Sequence, residues 1–294
     1  IRFGTGVVNL GHRHPIVVAA EAALFDQLSG GRLMLGVGPG GLASDAEIFD
    51  RGDMATRVEA ATEAMDMIIR VWTEQPPIVL DGKYWQASLQ DEMWPSHGVG
   101  EFPKPLQQPH PPLAMAMVSP GGNTAEMIAA RSMIPISANF VPTSFVRDQW
   151  LSYAAKREEL GLAIDPSIWR VCRSILITDS DQQAAEILAD PEGVFSYYFR
   201  YLRGVAKMTR IDQSLSATEL NEQLGVAGLV EQCMIVGTAD TVTDRLVAMA
   251  DEIGRFGTLV SVGHDWDGSG TWERSIVALA EQVAPKVGQH VDSL

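Results

Sequence analysis

The first 41 residues constrain the fold most, because they have the pattern of a strand, a helix and a second strand. Ile1 to Asn9 is rich in β-branched residues and glycine, and Pro15 can begin a helix at its first position, where the missing N–H costs nothing. Apolar residues then recur at helical spacing up to Ser29, and residues 33–37 form a short apolar run. Two strands joined in this way make one right-handed βαβ unit with parallel, buried strands.

The same alternation continues along most of the chain. We predict six parallel strands, each followed by a helix, and the four later strands lie at 113–118, 134–140, 168–177 and 258–262. A closed barrel of eight strands needs two more units of roughly 30 residues each. The chain does not begin with Met and opens within a strand, so we expect missing residues ahead of Ile1. The sequence therefore predicts an α/β fold, a (β/α)8 TIM barrel without its first two βα units.

We predict a single domain over residues 1–294, interrupted by two less regular stretches. The first, at about 76–111, is rich in Pro, Gly, Trp and His, and we expect a functional insertion over one end of the barrel. The second, at about 193–231, contains the aromatic cluster Phe195 to Tyr201. That cluster is interpreted either as core packing of an inserted helix or as a wall of the substrate site.

Charge and cysteine content exclude several classes of partner. The chain has 22 Lys and Arg against 37 Asp and Glu, a formal charge of −15, and no basic cluster, which argues against nucleic acid or an anionic membrane as a partner. No apolar stretch reaches the length of a membrane span. Cys172 and Cys233 each lie within an apolar run, which is typical of reduced core cysteines and predicts a cytoplasmic protein.

One strand end has the features of a phosphate site. Residues 118–124 run through a glycine bend into the start of a helix, so Ser119, Asn123 and Thr124 would lie among free backbone N–H groups that suit a phosphate. The alternative is a Ser or Thr helix cap with no ligand. Arg57, in the first turn of its helix, could give that phosphate a bidentate partner, or could pair with a carboxylate at the surface.

His264 is the histidine best placed for chemistry. It follows the last predicted strand, beside Asp265 and Asp267, and chemistry in such barrels lies at the carboxyl ends of the strands. A histidine there could serve as acid, base or hydrogen-bond donor, or could be an ordinary satisfied loop residue.

Other motifs are rejected. His12 and His14 have no third ligand near them in sequence, so we predict no metal site. The glycines of residues 36–41 lack the dinucleotide spacing, and Pro39 interrupts them.

Five stretches together resemble the bacterial luciferase-like flavin-dependent monooxygenases. They are GTGVVNLGHRHP at 4–15, AEAALFDQLSGGRLMLGVGPG at 20–40, DGKYW at 81–85, IVGTADTVTDRL at 235–246 and EQVAPK at 281–286. Within the family, the C-terminal part is most similar to the limonene and diketocamphane monooxygenases.

This resemblance implies a luciferase-like TIM barrel and a defined chemistry. Members bind reduced FMN that a separate flavin reductase supplies, react it with O2 and insert one oxygen atom into an aldehyde, ketone or alkene. We therefore expect a small apolar carbonyl or terpenoid substrate. The family dimerises through helices near the first strands, so residues 16–28 are expected to contribute to a homodimer.

The resemblance also assigns residues. The phosphate contacts fall on Arg57, Ser119 and Thr124. The flavin ring lies on a non-proline cis peptide, which Gly6 and Val7 match, and Gly38 takes the place of a reactive cysteine found in light-emitting members. Ala138 and Asn139 match positions beside the ring.

We predict Asn139 and His264 as the catalytic residues. Two other functions stay open: a deazaflavin-dependent oxidoreductase on the same barrel, which transfers hydride, and a non-catalytic flavin-binding subunit.

Overall fold

The computed structural model describes residues 1–209, 215–265 and 269–294, and gives the backbone alone at 207–209 and 215–223. These residues form two compact units, Ile1–Met115 and Ala116–Leu294. Each unit is built from parallel strands and the helices that connect them.

The first unit contains the predicted βαβ arrangement. Strands β1 (Phe3–Gly4) and β2 (Val8–Asn9) both pair in parallel with β3 (Leu33–Gly38), and helix α1 (Pro15–Leu28) connects them. The imidazole of His14 caps α1 by accepting a hydrogen bond from the Ile16 N–H. The predicted first strand is thus divided into two short pieces by the bend at residues 5–7. The other edge of β3 pairs with the first residues of β6 (Leu113–Met117).

Two further helices follow β3, the short α2 (Ala43–Ile48) and the long α3 (Met54–Thr73). The carboxylate of Asp53 caps α3 by accepting from the Thr56 N–H at 2.8 Å. Small buried residues on α3 allow a close approach to α1, and the indole N–H of Trp72 donates to the Ala19 carbonyl at 2.9 Å. The helix pair therefore covers the first unit's strands with a rigid layer.

The predicted insertion at about 76–111 has defined structure. It contains an antiparallel hairpin of β4 (Ile78–Asp81) and β5 (Gln86–Leu89), followed by a 3-10 turn at Pro95–His97. The carboxylate of Glu63 on α3 accepts hydrogen bonds from the backbone N–H groups of Lys83, Tyr84 and Trp85 at 2.7 to 2.9 Å. The hairpin turn is consequently fixed to α3.

The second unit continues the alternation of strand and helix. Its remaining strands are β7 (Ile134–Ser137), β8 (Arg170–Ile177), β9 (Met234–Gly237) and β10 (Thr258–Val262). Strand β8 pairs in parallel with β7, β9 and β10. Helix α4 (Asn123–Ala130) follows β6, and α5 (Thr143–Glu159) follows β7.

Strand β9 is absent from the sequence prediction. It pairs with Ser174–Ile177, the second half of β8, and all four of its residues are buried. A run of four apolar residues between two helices carries no periodicity that distinguishes a strand from a helix end, which explains why the pattern did not reveal it.

The stretch predicted to be irregular, 193–231, is largely helical where the structure describes it. Helix α6 (Asp181–Ala189) precedes it, and α7 (Val194–Thr209) and α8 (Leu215–Cys233) fill most of it. Phe195 and Phe199 are buried in one core cluster with Trp272. For these two rings, core packing is therefore the correct interpretation of the aromatic cluster.

The C-terminal part closes the second unit's core. It consists of α9 (Ala239–Ile253), α10 (Thr271–Ala278), a π-helical turn at Leu279–Val283 and α11 (Ala284–Ser293). A second cluster packs around Trp169, which is stacked on Trp150 at a centroid distance of 4.8 Å.

The two cysteines are both free. Burial raises the pKa of the Cys172 thiol to about 11 and that of Cys233 to about 12. Cys233 is buried in the core as predicted, whereas Cys172 is of intermediate exposure. Within the described ranges, no helix is both long enough and apolar enough to cross a membrane.

Candidate active site

In the first unit, the carboxyl ends of β2 and β3 form an open backbone surface. The peptide bond between Gly6 and Val7 is cis, which confirms the cis peptide that the family resemblance predicts at this position. A Cβ atom at Gly36 would lie 1.9 Å from the Thr5 carbonyl oxygen, and one at Gly38 would lie 3.1 Å from Cγ2 of Val7. Only glycine therefore allows β3 to approach this bend, and the Val7 side chain remains 47% exposed beside it.

Arg57 lies under the loop that follows β3. Its side chain is only 2% exposed, and its Nη1 donates to the carbonyl oxygens of Gly40 at 3.0 Å and Leu42 at 3.2 Å. Among the described residues, nothing accepts a hydrogen bond from its Nε. The alternative of a surface ion pair is wrong, because the guanidinium is buried and donates to backbone carbonyls.

Two half-buried polar side chains, Asn9 and His12, lie near the same loop and each has a buried polar atom. The Asn9 amide donates to Nδ1 of His12 at 2.8 Å, so the proton of the neutral ring lies on Nε2. Within the described part of the chain, that N–H and the Asn9 Oδ1 have no hydrogen-bond partner. Burial, above all, lowers the pKa of His12, and the charges of Arg57 and Arg51 lower it further, against the opposing effect of Asp45.

In the second unit, strand ends bring together a buried hydrogen-bond network. Asn139 follows β7, Ser174 lies on β8 and His264 follows β10. The Asn139 amide donates to Ser174 Oγ at 2.8 Å, and Nε2 of His264 lies 2.6 Å from the same oxygen. Tyr198 of α7 completes the network, with its hydroxyl 3.2 Å from the Asn139 nitrogen and 3.3 Å from Oδ1.

The tautomer of His264 depends on how Ser174 uses its hydroxyl group. Ser174 is fully buried and accepts from Asn139, and its oxygen can either donate to Nε2 of His264 or accept a second hydrogen bond from it. Donation by Ser174 places the proton of the neutral ring on Nδ1, and acceptance places it on Nε2. Burial lowers the pKa of His264 and raises that of Tyr198, which keeps both side chains neutral near pH 7.

Aromatic rings supply that burial. The ring of His264 lies 4.5 Å from the ring of Tyr198 and 5.4 Å from that of Phe195. Of the carboxylates predicted beside His264, Asp265 is exposed and Asp267 lies outside the described residues. Among the described contacts of His264, the serine hydroxyl and the aromatic rings surround the imidazole.

The predicted phosphate loop begins α4. Asn123 is the first residue of the helix, and the N-cap is Gly122 at φ 85°, so the alternative of a Ser or Thr cap is wrong. Gln149, fully buried on α5, donates to the carbonyl oxygens of Met117 at 3.2 Å and Ser119 at 2.9 Å. The loop is thereby held in place while the first N–H groups of α4 remain without a side-chain cap.

The structure brings the predicted residues together in three groups, each within one unit. Gly6, Val7, Gly38 and Arg57 lie around the ends of β2 and β3. Asn139 and His264 meet through Ser174, while Ala138, next to Asn139, donates its N–H to the Met117 carbonyl at 3.1 Å. Ser119, Asn123 and Thr124 share one loop.

Sequence reasoning missed Ser174 and Tyr198. The available signal was Ser174 as a hydroxyl within an otherwise apolar strand, since a buried hydroxyl needs a partner. In the described part of the chain, no three His, Cys, Asp or Glu side chains gather in the manner of metal ligands.

Comparisons with known proteins identify related chains. A family model described as luciferase-like monooxygenase matches residues 1–255. The 4-hydroxyprotoasukamycin monooxygenase of Streptomyces nodosus subsp. asukaensis is 30% identical over 100% of this chain and 76% of its own length. Limonene 1,2-monooxygenase from Rhodococcus erythropolis is 26% identical, covering 97% of this chain and 68% of its own length.

A solved structure is similar over nearly the whole chain. It is the oxygenating constituent of 3,6-diketocamphane monooxygenase from Pseudomonas putida, a type II Baeyer-Villiger monooxygenase in complex with FMN. The TM-score is 0.80 at 25% identity, covering 97% of this chain and 79% of that one.

Proposed function

This chain belongs to the luciferase-like monooxygenase family, and we propose that it uses reduced FMN and O2 to oxygenate a small apolar carbonyl or terpenoid compound. The predicted fold class, the α/β TIM barrel of luciferase-like proteins, is confirmed by the structural likeness at a TM-score of 0.80. The observation that carries the proposed activity is this likeness, over 97% of the chain, to an oxygenating subunit whose structure holds FMN.

The first unit suits part of a flavin. Val7 is 47% exposed at the strand end and lies beside the buried Gly38, and a planar flavin ring needs such an accessible apolar surface. The buried guanidinium of Arg57 has an Nε without an acceptor among the described residues, which fits a group that binds an anion. We assign Gly6, Val7 and Gly38 to the ring and Arg57 to the phosphate.

The second unit supplies a separate set of donors. The uncapped N–H groups at the start of α4, with the side chains of Ser119, Asn123 and Thr124, are assigned to the phosphate because a helix N-terminus attracts anions. Ala138 is assigned to the flavin ring. Gln149 would act only through the loop, by holding the Ser119 carbonyl.

Asn139 and His264 are assigned to the reacting centre. FMN, when bound and reduced, would supply the two electrons that activate O2, of which one oxygen atom goes to the substrate and the other to water. In the tautomer in which Ser174 donates to Nε2, the neutral His264 would offer Nδ1–H as a hydrogen-bond donor to the substrate oxygen. Asn139 would be held in one orientation by Ser174 and Tyr198, so that the amide requires little reorganisation during the reaction.

The partners follow from the same assignment. An oxygenating subunit requires a separate flavin reductase to deliver reduced FMN, together with O2. A homodimer through residues 16–28 remains a prediction, supported by the exposed apolar side chains Val17, Leu24 and Leu28 of α1. The cytoplasmic location also remains a prediction.

The proposed activity is tested by titrating the protein with reduced FMN without oxygen and then mixing it with oxygenated buffer in a stopped-flow spectrophotometer. We expect tight binding and a transient absorbance distinct from oxidised FMN, which decays faster when a cyclic ketone is added. Binding of a deazaflavin in place of FMN would favour hydride transfer. FMN binding with no faster oxygen uptake than free reduced FMN would indicate a non-catalytic subunit.

A further inference from the structure

A polar cleft of about 230 Å³ lies in the second unit, on the side of β8 opposite to Ser174. Successive residues of a strand point to opposite faces, so Arg173 faces this cleft while Ser174 faces the candidate active site. The polar lining residues are Thr143, Arg173, Gln232, Arg245 and Glu252.

Arg173 is the central feature of the cleft. Its side chain is 2% exposed, and its Nη1 donates to the carbonyl oxygens of Cys172 at 2.9 Å and Ala138 at 3.4 Å. Among the residues that the structure describes, nothing accepts a hydrogen bond from its Nη2. Its neighbours on the same face of β8, Val171 and Ile175, belong to the apolar core, so their side chains provide no acceptor for this nitrogen.

A second cation lines the cleft. Arg245 of α9 is half-buried, and its Nη2 donates only weakly to the Glu231 carbonyl at 3.3 Å. Burial lowers the pKa of both arginines, yet a guanidinium remains charged in proteins. In the described ranges, neither arginine has a carboxylate within the 4.0 Å of an ion pair, and Glu252 and Glu231 act on Arg173 and Arg245 only from longer range. A buried cation without a close counter-ion is unfavourable.

The other polar groups that line the cleft indicate which kind of anion would neutralise the two arginines. The Thr143 hydroxyl, at the first residue of α5, and the Gln232 amide add donors to the two guanidinium groups. Donor-bearing side chains from four different elements line the cleft, and a tetrahedral oxyanion can accept from more directions than a flat carboxylate. Drug-sized ligands occupy pockets of about 300 to 1,000 Å³, so the cleft suits a smaller ion.

Glu252 selects among oxyanions. Its carboxylate lines the cleft and acts electrostatically on Arg173, so it repels a fully ionised anion. Phosphate near pH 7 still carries a proton that can be donated to a carboxylate, whereas sulfate carries none. We propose that this cleft binds one protonated phosphate ion, or the phosphate monoester of a small metabolite, at a site separate from the one assigned to FMN.

Calorimetric titration of the whole protein with inorganic phosphate, in a low-chloride buffer at pH 7, tests this site. We expect one phosphate per chain, at least fivefold weaker binding of sulfate, and no loss of phosphate binding when FMN is present at saturation. Competition by FMN would place the phosphate at the flavin site and overturn the proposal. A glycerol phosphate titration distinguishes a monoester from the free ion.

Variants locate the site. Arg173→Met should weaken phosphate at least tenfold, and Arg255→Met is the matched control, because Arg255 is 51% exposed and lies outside the cleft. Glu252→Gln should bring phosphate and sulfate to similar affinity. Unchanged phosphate binding by Arg173→Met, or no binding by the wild type, overturns the proposal.

Thermal unfolding gives an independent readout. Phosphate should raise the melting temperature of the wild type and leave that of Arg173→Met unchanged. If Arg173→Met does not fold, the half-buried Arg245→Met replaces it, with the same loss expected; retained phosphate binding there would contradict the proposal. None of these measurements depends on turnover of the flavin reaction.

Discussion

Two buried arginines, one in each unit, are similar in their exposure and in their hydrogen bonds. Arg57 and Arg173 are each 2% exposed, and each donates from Nη1 to two backbone carbonyls. Each also leaves one nitrogen without an acceptor among the described residues, Nε in Arg57 and Nη2 in Arg173.

The groups around Arg57 differ from those around Arg173. Both acceptors of Arg57 belong to one loop, at Gly40 and Leu42, so Arg57 braces that loop as well as carrying charge. Arg173 lies beside a second arginine and additional donors in a cleft. A buried arginine with a missing partner thus indicates a ligand most strongly where its neighbours supply further donors of the same kind.

The largest effect is expected at the first arginine. Arg57→Ala should weaken FMN binding by about 1.5 to 3 kcal/mol, since a hydrogen bond to a charged group is lost, whereas Arg173→Met should leave FMN affinity within about threefold. Quenching of flavin fluorescence during titration measures both. Equal losses in the two variants would erase the distinction between the arginines, and unchanged affinity in Arg57→Ala would remove it from the flavin site.

Ser174, unlike Arg173, is a buried group whose hydrogen-bond partners are all present, so its replacement should lower the stability of the protein itself. Ser174→Ala leaves the Asn139 amide and Nε2 of His264 without their shared partner, so the free energy of unfolding should fall by about 1 to 3 kcal/mol. Urea denaturation measures this. Ser44→Ala, at an exposed position, is the control and should lie within about 0.5 kcal/mol of the wild type. A Ser174→Ala value as small as the control would show that the network is not closed.

A smaller effect is expected at the start of α9, the helix that carries Arg245. Thr238 caps it by accepting from the Thr241 N–H at 3.3 Å, so Thr238→Ala should lower the free energy of unfolding by about 1 kcal/mol. Thr238→Ser keeps the hydroxyl and should recover most of the loss in the same denaturation experiment. If the serine variant is no more stable than the alanine variant, the cap is not the cause.

The smallest effect concerns pH. Burial lowers the pKa of His264 from its ordinary 6.5, so below pH 6.5 the unfolded chain binds more protons than the folded chain. Stability contributed by the neutral ring is therefore complete above pH 6.5 and is lost as the pH falls below it. Wild-type protein should lose more stability between pH 7.5 and 5.5 than His264→Gln, with the same direction at His12 as a shared background. Parallel pH profiles would contradict this.

The sequence was sufficient for the features that local patterns encode. The βαβ unit follows from periodicity and from Pro15, and the cis peptide at Gly6 and Val7 followed from motif resemblance. By contrast, Asn139, Ser174 and His264 are separated by 35 and 90 positions along the chain, so only the folded structure shows that one hydroxyl serves both other side chains.

The burial of Arg57 and Arg173 could not be predicted from the sequence either. Arg57 has an ordinary position in a helical first turn, where a surface ion pair is a reasonable alternative, and nothing local distinguishes a buried guanidinium from an exposed one. Arg173 lies in a run of apolar residues, but its cleft is formed by α5, α8 and α9, whose contributing residues are distant in sequence.

The attachment of the hairpin turn to α3 has a consequence for variation within the family. Glu63 holds residues 83–85 through three backbone N–H groups, and every residue type except proline provides such a group. The side chains of Lys83 and Tyr84 can therefore be exchanged while the turn keeps its attachment to the helix that also carries Arg57, whereas Trp85 is buried and donates to the Ala60 carbonyl. Glu63 gives the insertion a fixed position and leaves its surface free to diverge.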